Sequence, residues 1–379
     1  MVCVINRLPL SLALWLLIAL VPTVQAEEQA LVRTTSSPIA IKNLDFLIRR
    51  AELQLRASPH NQEAVATYLE MLLLKVSFLN TFKDFQRALR VTNELISARP
   101  NDPGVLLLSA KVLQALHRFS PALIQLEKAA ELTSELSSSE QARFRREIET
   151  HTVTINLARG DTEQALRSLK NLQATSPNSA DASRLAVLFA AVYRSQGLLE
   201  AADKELVKSL ENWDRITPFT IAWVSFQRGE VWVGVDDARA QKRYEEALHY
   251  LPEYVTARVH LAELKHQAGD THAAIKLLEP IAKGQDPEPA GRLAEFLTSV
   301  GKDEESLAHR NFAERGWEEL LENYPLTFAD HGAEFWLGAG GNPVIALKWA
   351  RLLYENQPTT KAKSLLAAAI AATDSTGVN

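Results

Sequence analysis

The sequence predicts an all-α protein, a right-handed α-solenoid of stacked helix-turn-helix units. Two observations carry that prediction. A Gly followed five residues later by a small residue recurs at Gly160/Ala165, Gly197/Ala202, Gly269/Ala274, Gly301/Ser306 and Gly341/Ala346. The same small-residue position, without that Gly, recurs at Ala88, Ala122 and Ala240, which gives eight anchors. No stretch of useful length alternates with the period of two that a strand requires. Repetition at a fixed period decides the architecture before any local motif does.

Met1–Ala26 is set apart from the fold. One positive charge, an apolar run from Leu8 to Val21 and the small-residue site Val24-Gln25-Ala26 follow in the order of a secretory signal peptide. The run is short for a spanning helix, which needs ~20 residues. An uncleaved anchor is the alternative reading. Residues 27–42, with Thr34-Thr35-Ser36-Ser37-Pro38, read as a flexible leader. The repeats are assigned to 43–375, as about eight helix pairs and a C-terminal capping helix. Leu44–Leu55 reads as a helix ahead of Pro59.

The clearest unit spans Thr256 to Pro287. Leu261, Leu264 and Ala268 recur at spacings of three and four, on one face of a helix. Gly269 ends that helix, because a residue without Cβ enters the left-handed conformation that caps free carbonyls. Asp270 is a good N-cap for the next helix. Ala274, Leu278 and Ile281 then form the packing face of the second helix, and Ala274 lets the two backbones approach. Ala240, Tyr244 and Ala247 stand 34 residues before those three. The anchor at Ser306 begins a long polar helix ending near Pro325. Lys361–Thr373 is the expected capping helix over the last unit.

On those residues the chain resembles the tetratricopeptide-repeat family, whose period is 34 residues. The resemblance covers roughly 60–372. The family pattern wants a small residue twelve before each anchor. Ala110, Ala190, Ala262 and Ala294 comply, whereas Val76, Val153, Arg228 and Glu334 depart from it. Spacings between anchors run 34, 43, 37, 38, 34, 32 and 40, so several turns are long, notably Thr133–Gln141. The resemblance implies an elongated curved array in which each unit touches only its neighbours. It also implies a concave side lined by the first helices of the pairs.

Composition narrows the function. Cleavage after Ala26 leaves 353 residues, and loss of Arg7 takes the net charge from −5 to −6. A mildly acidic chain argues against nucleic acid as the main ligand. Cys3 is the one cysteine and is lost with the leader, so the mature chain has neither disulfides nor a thiolate metal site. No span follows the leader, since Leu72–Leu79 is short and interrupted by Lys75. Gly338-Ala339-Gly340-Gly341 follows a helix rather than a strand, so it reads as a helix turn and not as a phosphate loop.

Positions fifteen, eleven and eight residues before each anchor are expected on the concave face. They include Asn80, Gln114, Arg194, Trp232, His266 and Thr298 at the nearest offset, Glu263 and Glu295 at the middle one, and His331 at the farthest. Arg194, Trp232, Glu263, His266, Glu295 and His331 are the candidate partner-binding residues, with solvated helix surface as the plain alternative. Trp232 is either an exposed anchor for a bound segment or packed against Trp223 and Phe226.

The expected function is that of an exported scaffold, periplasmic or secreted, which holds a protein or peptide and assists an envelope or membrane-associated assembly. No catalytic residue, cofactor or resident metal is assigned. The alternative is ligand or metal binding grafted onto Asp330–Trp336, where His331 and Glu334 share a helix face.

Overall fold

The computed structural model describes residues 32–175, 179–211, 213 and 215–375. The expected signal peptide therefore lies outside the described residues. The chain divides into Met1–Arg33 and Thr34–Asn379, and the described helices all belong to the second of these units.

Among the described residues there are eighteen α-helices and no strand. The first, α1, spans Ser37–Ala57. It begins ahead of the expected leader boundary at Lys42, because Pro38 in the first turn suits a helix start. Eight antiparallel pairs come after it. They are α2 (Gln62–Leu79) with α3 (Lys83–Ala98), and α4 (Pro103–Ala115) with α5 (Phe119–Leu132). Next come α6 (Ser138–Ala158) with α7 (Thr162–Ala174), and α8 (Ser179–Ser195) with α9 (Leu199–Lys208). The C-terminal half adds α10 (Pro218–Trp232) with α11 (Asp237–Tyr250), and α12 (Val255–Gln267) with α13 (Thr271–Leu278). The last pairs are α14 (Glu288–Ser299) with α15 (Asp303–Asn323), and α16 (Pro325–Leu337) with α17 (Pro343–Asn356). The closing helix α18 spans Thr360–Ser375. The long turn expected over Thr133–Gln141 is shortened, since Thr133–Glu135 forms a 3-10 turn and the Ser137 N–H donates to Glu140 at 3.3 Å to start α6.

All eight anchors sit in second helices. The seven alanines are fully buried and Ser306 is nearly so. A small side chain lets the paired backbones close, and Ser306 satisfies its hydroxyl by donating to the Ala294 carbonyl at 2.7 Å. The five repeat glycines all have positive φ, from 61° to 88°, which is why Gly is required there. His117 holds the equivalent place before Ala122 at φ 53°.

In the pair α10/α11 the small residue has moved by one. Gly229, not Arg228, faces the second helix, and a Cβ there would meet the Tyr244 ring at 2.3 Å. Arg228 instead pairs with Asp203 of α9 at 2.7 and 3.0 Å.

The expectation that units touch only their neighbours is corrected. The segment ahead of α1 and the turns within pairs one to three dock near the starts of α10, α12, α14, α16 and α18. Thr35 donates to the Ile216 carbonyl at 2.8 Å, and Phe78 packs on Phe219 and Tyr254 with centroids at 5.2 and 4.8 Å. Asn80 donates to Asp286 at 2.6 Å, and Phe82 meets Phe328 edge-on at 4.6 Å. One pair further on, Thr327 donates to the Leu116 carbonyl at 2.9 Å and Asn356 to the His117 carbonyl at 3.1 Å. Gly160 lies against Pro358 and Thr359. Successive turns of the winding are thus sealed by an aromatic and hydrogen-bonded seam. This is what the His117 backbone strain supports: a left-handed turn whose carbonyl reaches the next layer.

Candidate functional site

The first helices α8, α10, α12, α14 and α16, with α18, carry a continuous row of charged side chains. Arg194 of α8 lies 3.8 Å from Glu230 of α10, and Glu230 lies 3.4 Å from His260 of α12. Glu263, one helical turn on, pairs with Arg292 of α14 at 2.7 Å. Arg292 is the hub. It also approaches Glu334 of α16 at 3.2 Å, Glu295 at 3.5 Å and Glu288 at 4.0 Å. His331 bonds Glu288 at 3.1 Å, and Lys361 of α18 reaches Glu334 at 3.1 Å and Asp330 at 3.5 Å. Spacings of three and four along each helix put these groups on one face.

Local sequence builds the row. Pro287 and Pro289 start α14 abruptly, and Asp286 accepts the Glu288 N–H at 2.9 Å. Glu288 therefore sits in the first turn, where the helix dipole favours a negative charge. Glu295 reaches the glycine-rich turn after α16 and accepts the Ala339 N–H at 3.1 Å. A Cβ on Gly338 would stand 2.2 Å from that carboxylate, so this glycine makes room for an anion held within the chain. The Gly338–Gly341 run is thus a carboxylate-receiving turn.

The carboxyl groups, Arg292 and His331 are half-buried while Arg194 and Lys361 are exposed, and the ionisation of the half-buried members reflects it. Burial alone pushes the His331 imidazole down, yet Asp330 and Glu288 outweigh it and lift it to about 10. His331 is therefore protonated at neutral pH. Burial pushes the Glu288 carboxyl up, but His331 and Arg292 hold it well below the usual range. Burial raises Glu263 and exceeds the opposing pull of Arg292 and His260. Six carboxyl groups (Glu230, Glu263, Glu288, Glu295, Asp330 and Glu334) face Arg194, Arg292, Lys361, protonated His331 and the His260 imidazole, and still outnumber them. The row keeps an excess of negative charge.

Of the residues chosen from sequence, Arg194, Glu263, Glu295 and His331 lie in this row. Trp232 does not. It is 5% exposed, with the Arg239 guanidinium 3.7 Å above its ring and its N–H directed to Asp203, so it is not an exposed anchor. His266 stacks on Phe296 at 4.4 Å and bonds Thr271 at 3.0 Å, tying α12 to its neighbours. Thr298 and Gln114 likewise serve helix packing, through Ser306 at 2.7 Å and His151 at 2.8 Å. Asn80 belongs to the seam. Arg194 apart, the nearest offset thus serves helix packing or the seam, whereas the middle offset (Glu263, Glu295) and the farthest (His331) reach the charged row.

Sequence reasoning missed Glu230, Glu288, Arg292 and Lys361. A signal existed for Arg292, which is flanked by Glu288 and Glu295 at spacings of four and three, with Glu263 in the preceding unit. Glu288, His331 and Glu334 offer three possible ligand atoms within 4.8 Å of one another. Arg292 and Lys361 already neutralise these carboxylates, and His331 would have to lose its proton to bind a metal.

The fold and this lining define a helix-hairpin solenoid with a charged inner face. The tetratricopeptide-repeat profile matches residues 238–295, from α11 into α14. Over that segment the chain carries tetratricopeptide repeats, and the flanking helix pairs continue the same stacked-hairpin architecture. Among solved structures it is similar to the human IFIT1 dimer with m7Gppp-AAAA, at 15% identity and TM-score 0.50, covering 90% of this chain and 78% of that one. It is also similar to a Rap protein complexed with competence and sporulation factor, at 14% identity and TM-score 0.51, covering 88% and 99%. At such identities the likeness shows the fold alone. The search of curated proteins found no match.

Proposed function

We propose that this protein is a non-catalytic interaction scaffold which holds a basic segment of a partner protein along the concave row of α8 to α18. The carrying observation is the excess of carboxyl groups on consecutive first helices, half-buried and joined through Arg292. Half-buried charges in a recess interact more strongly with a ligand than fully solvated ones. Lysine and arginine side chains of a partner would complete the unbalanced carboxyl groups and give register along the row. The same excess disfavours a phosphate-bearing ligand such as the m7Gppp-AAAA of the IFIT1 dimer. The apolar leader supports work outside the cytoplasm, in the periplasm or after secretion, beside an envelope or membrane-associated assembly.

The test is an array of peptides of graded net charge, incubated with the wild-type chain and with the Glu263→Lys/Glu295→Lys variant. Retention should rise with peptide Lys and Arg content, weaken with salt and fall at least tenfold in the variant. Retention indifferent to charge would contradict the proposal.

The second reading, ligand or metal binding at Asp330–Trp336, is supported by the Glu288, His331 and Glu334 grouping. The neutralising cations around it favour the first reading.

A further inference from the structure

The first helix of the array has two apolar faces. Ala40, Leu44, Ile48 and Ala51 are buried against the rest of the repeat unit. On the opposite side Ile39, Phe46 and Leu53 recur every seven residues and are 54%, 57% and 65% exposed. At 100° per residue these three fall within a sector of about 40°. Among the described residues α1 is the first helix of the array, and the ends of repeat arrays ordinarily carry a polar face.

The charges on that side are all of one sign. Lys42 and Arg49 flank one edge of the stripe and Arg50 the other, with Arg56 beyond them, and all four are exposed. The two acids of α1 lie past the Lys42/Arg49 edge and are engaged within the chain, Asp45 with Lys75 at 2.7 Å and Glu52 with Arg87 and Tyr68. A positive, apolar-striped helix face is thus presented by a chain whose net charge is −5.

We propose that the outer face of α1 docks on an anionic lipid bilayer surface. The helix would lie in the plane of the interface, with Ile39, Phe46 and Leu53 sunk among the acyl chains and Lys42, Arg49 and Arg50 at the headgroups. This is the arrangement of an interfacial amphipathic helix, in which burial of apolar side chains and attraction to acidic lipids act together. Pairing with a second copy is disfavoured by the same geometry. A two-fold contact through this face sets cations against cations on both edges of the stripe, with no exposed acid on the helix to offset them.

The experiment uses the chain from Glu27 onward, which has no cysteine and lacks the apolar leader, with an environment-sensitive fluorophore on Phe46→Cys. Vesicles of phosphatidylcholine with phosphatidylglycerol should shift its emission to the blue, and pure phosphatidylcholine should not. The triple variant Lys42→Gln/Arg49→Gln/Arg50→Gln should lower partitioning roughly a hundred-fold, at about fivefold per charge near an anionic surface. Its melting temperature should be unchanged, since the three side chains are exposed. Three outcomes would overturn the proposal: no shift on anionic vesicles, an equal shift on neutral ones, or a lipid-free shift that grows with protein concentration. The last would assign the face to self-association.

Discussion

Asn80 and Asp286 are 206 residues apart, and the Asn80 amide donates to the Asp286 carboxyl at 2.6 Å in a buried site. Asn80 ends α2 in the left-handed conformation, φ 47°, while Asp286 leads into α14. Burial, together with the neighbouring Glu288 charge, raises the Asp286 carboxyl to about 6. One hydrogen bond thus links the first repeat to the seventh. The seam around it makes the array a closed unit rather than a chain of nearest neighbours.

Asn80→Gly keeps the backbone free to adopt that conformation and deletes the amide. The buried carboxyl of Asp286 then lacks this donor, at about 1–3 kcal/mol. Thermal melting should show a single transition lowered by several degrees. An unchanged melting temperature would remove the seam from the account of stability.

His331 sets a pH signature. Its folded pKa is raised from the ordinary value to about 10 by Asp330 and Glu288. A base raised in this way adds stability that is complete below its unfolded pKa of about 6.5 and fades as pH climbs toward 10. Burial lowers the shifted histidines His117, His151 and His309, and these finish titrating below that window. Denaturant melts between pH 7 and 9.5 should lose about 1–2 kcal/mol, moderated by partial solvent exposure. His331→Gln should flatten the curve, and an equal slope in that variant would contradict the assignment.

Arg292→Ala should cost about 3 kcal/mol, because Glu263, Glu288, Glu295 and Glu334 lose their shared cation. Arg292→Lys should recover only part, since an ammonium cannot match the planar fork that reaches α12, α14 and α16 together. Chemical denaturation of both variants checks this.

Zinc should not raise the melting temperature of the wild-type chain. The Glu288, His331 and Glu334 atoms are close enough for a metal, but Arg292 and a protonated His331 stand in its way. A concentration-dependent rise would establish the metal reading of Asp330–Trp336.

Much of the fold was legible because Gly, Ala and a 34-residue period record local needs: a left-handed cap and close backbone approach. All eight anchors follow from that. The seam was not legible, because Phe82 meeting Phe328 or Asn80 meeting Asp286 depends on the pitch of the winding, which small differences in repeat length set. Site legibility divides the same way. Glu263, Glu295, His331 and Arg194 were reachable from helix spacing. Helix spacing leaves Trp232 open between an exposed and a packed position, and the structure holds it buried under Arg239 of the following helix. Lys361 was missed because α18 was read only as a cap, although it supplies the last cation of the row.

The most direct measurement places a photo-crosslinking residue at position 260, in the middle of the charged row, and at position 163 on the solvent-facing side of α7. Crosslinked partner peptides are then read by mass spectrometry. Position 260 should capture a defined segment rich in Lys and Arg, lost when Glu263 and Glu295 are changed to Lys, and position 163 should capture none. Equal capture from both positions, or segments without basic character, would contradict the concave row as the partner-binding face.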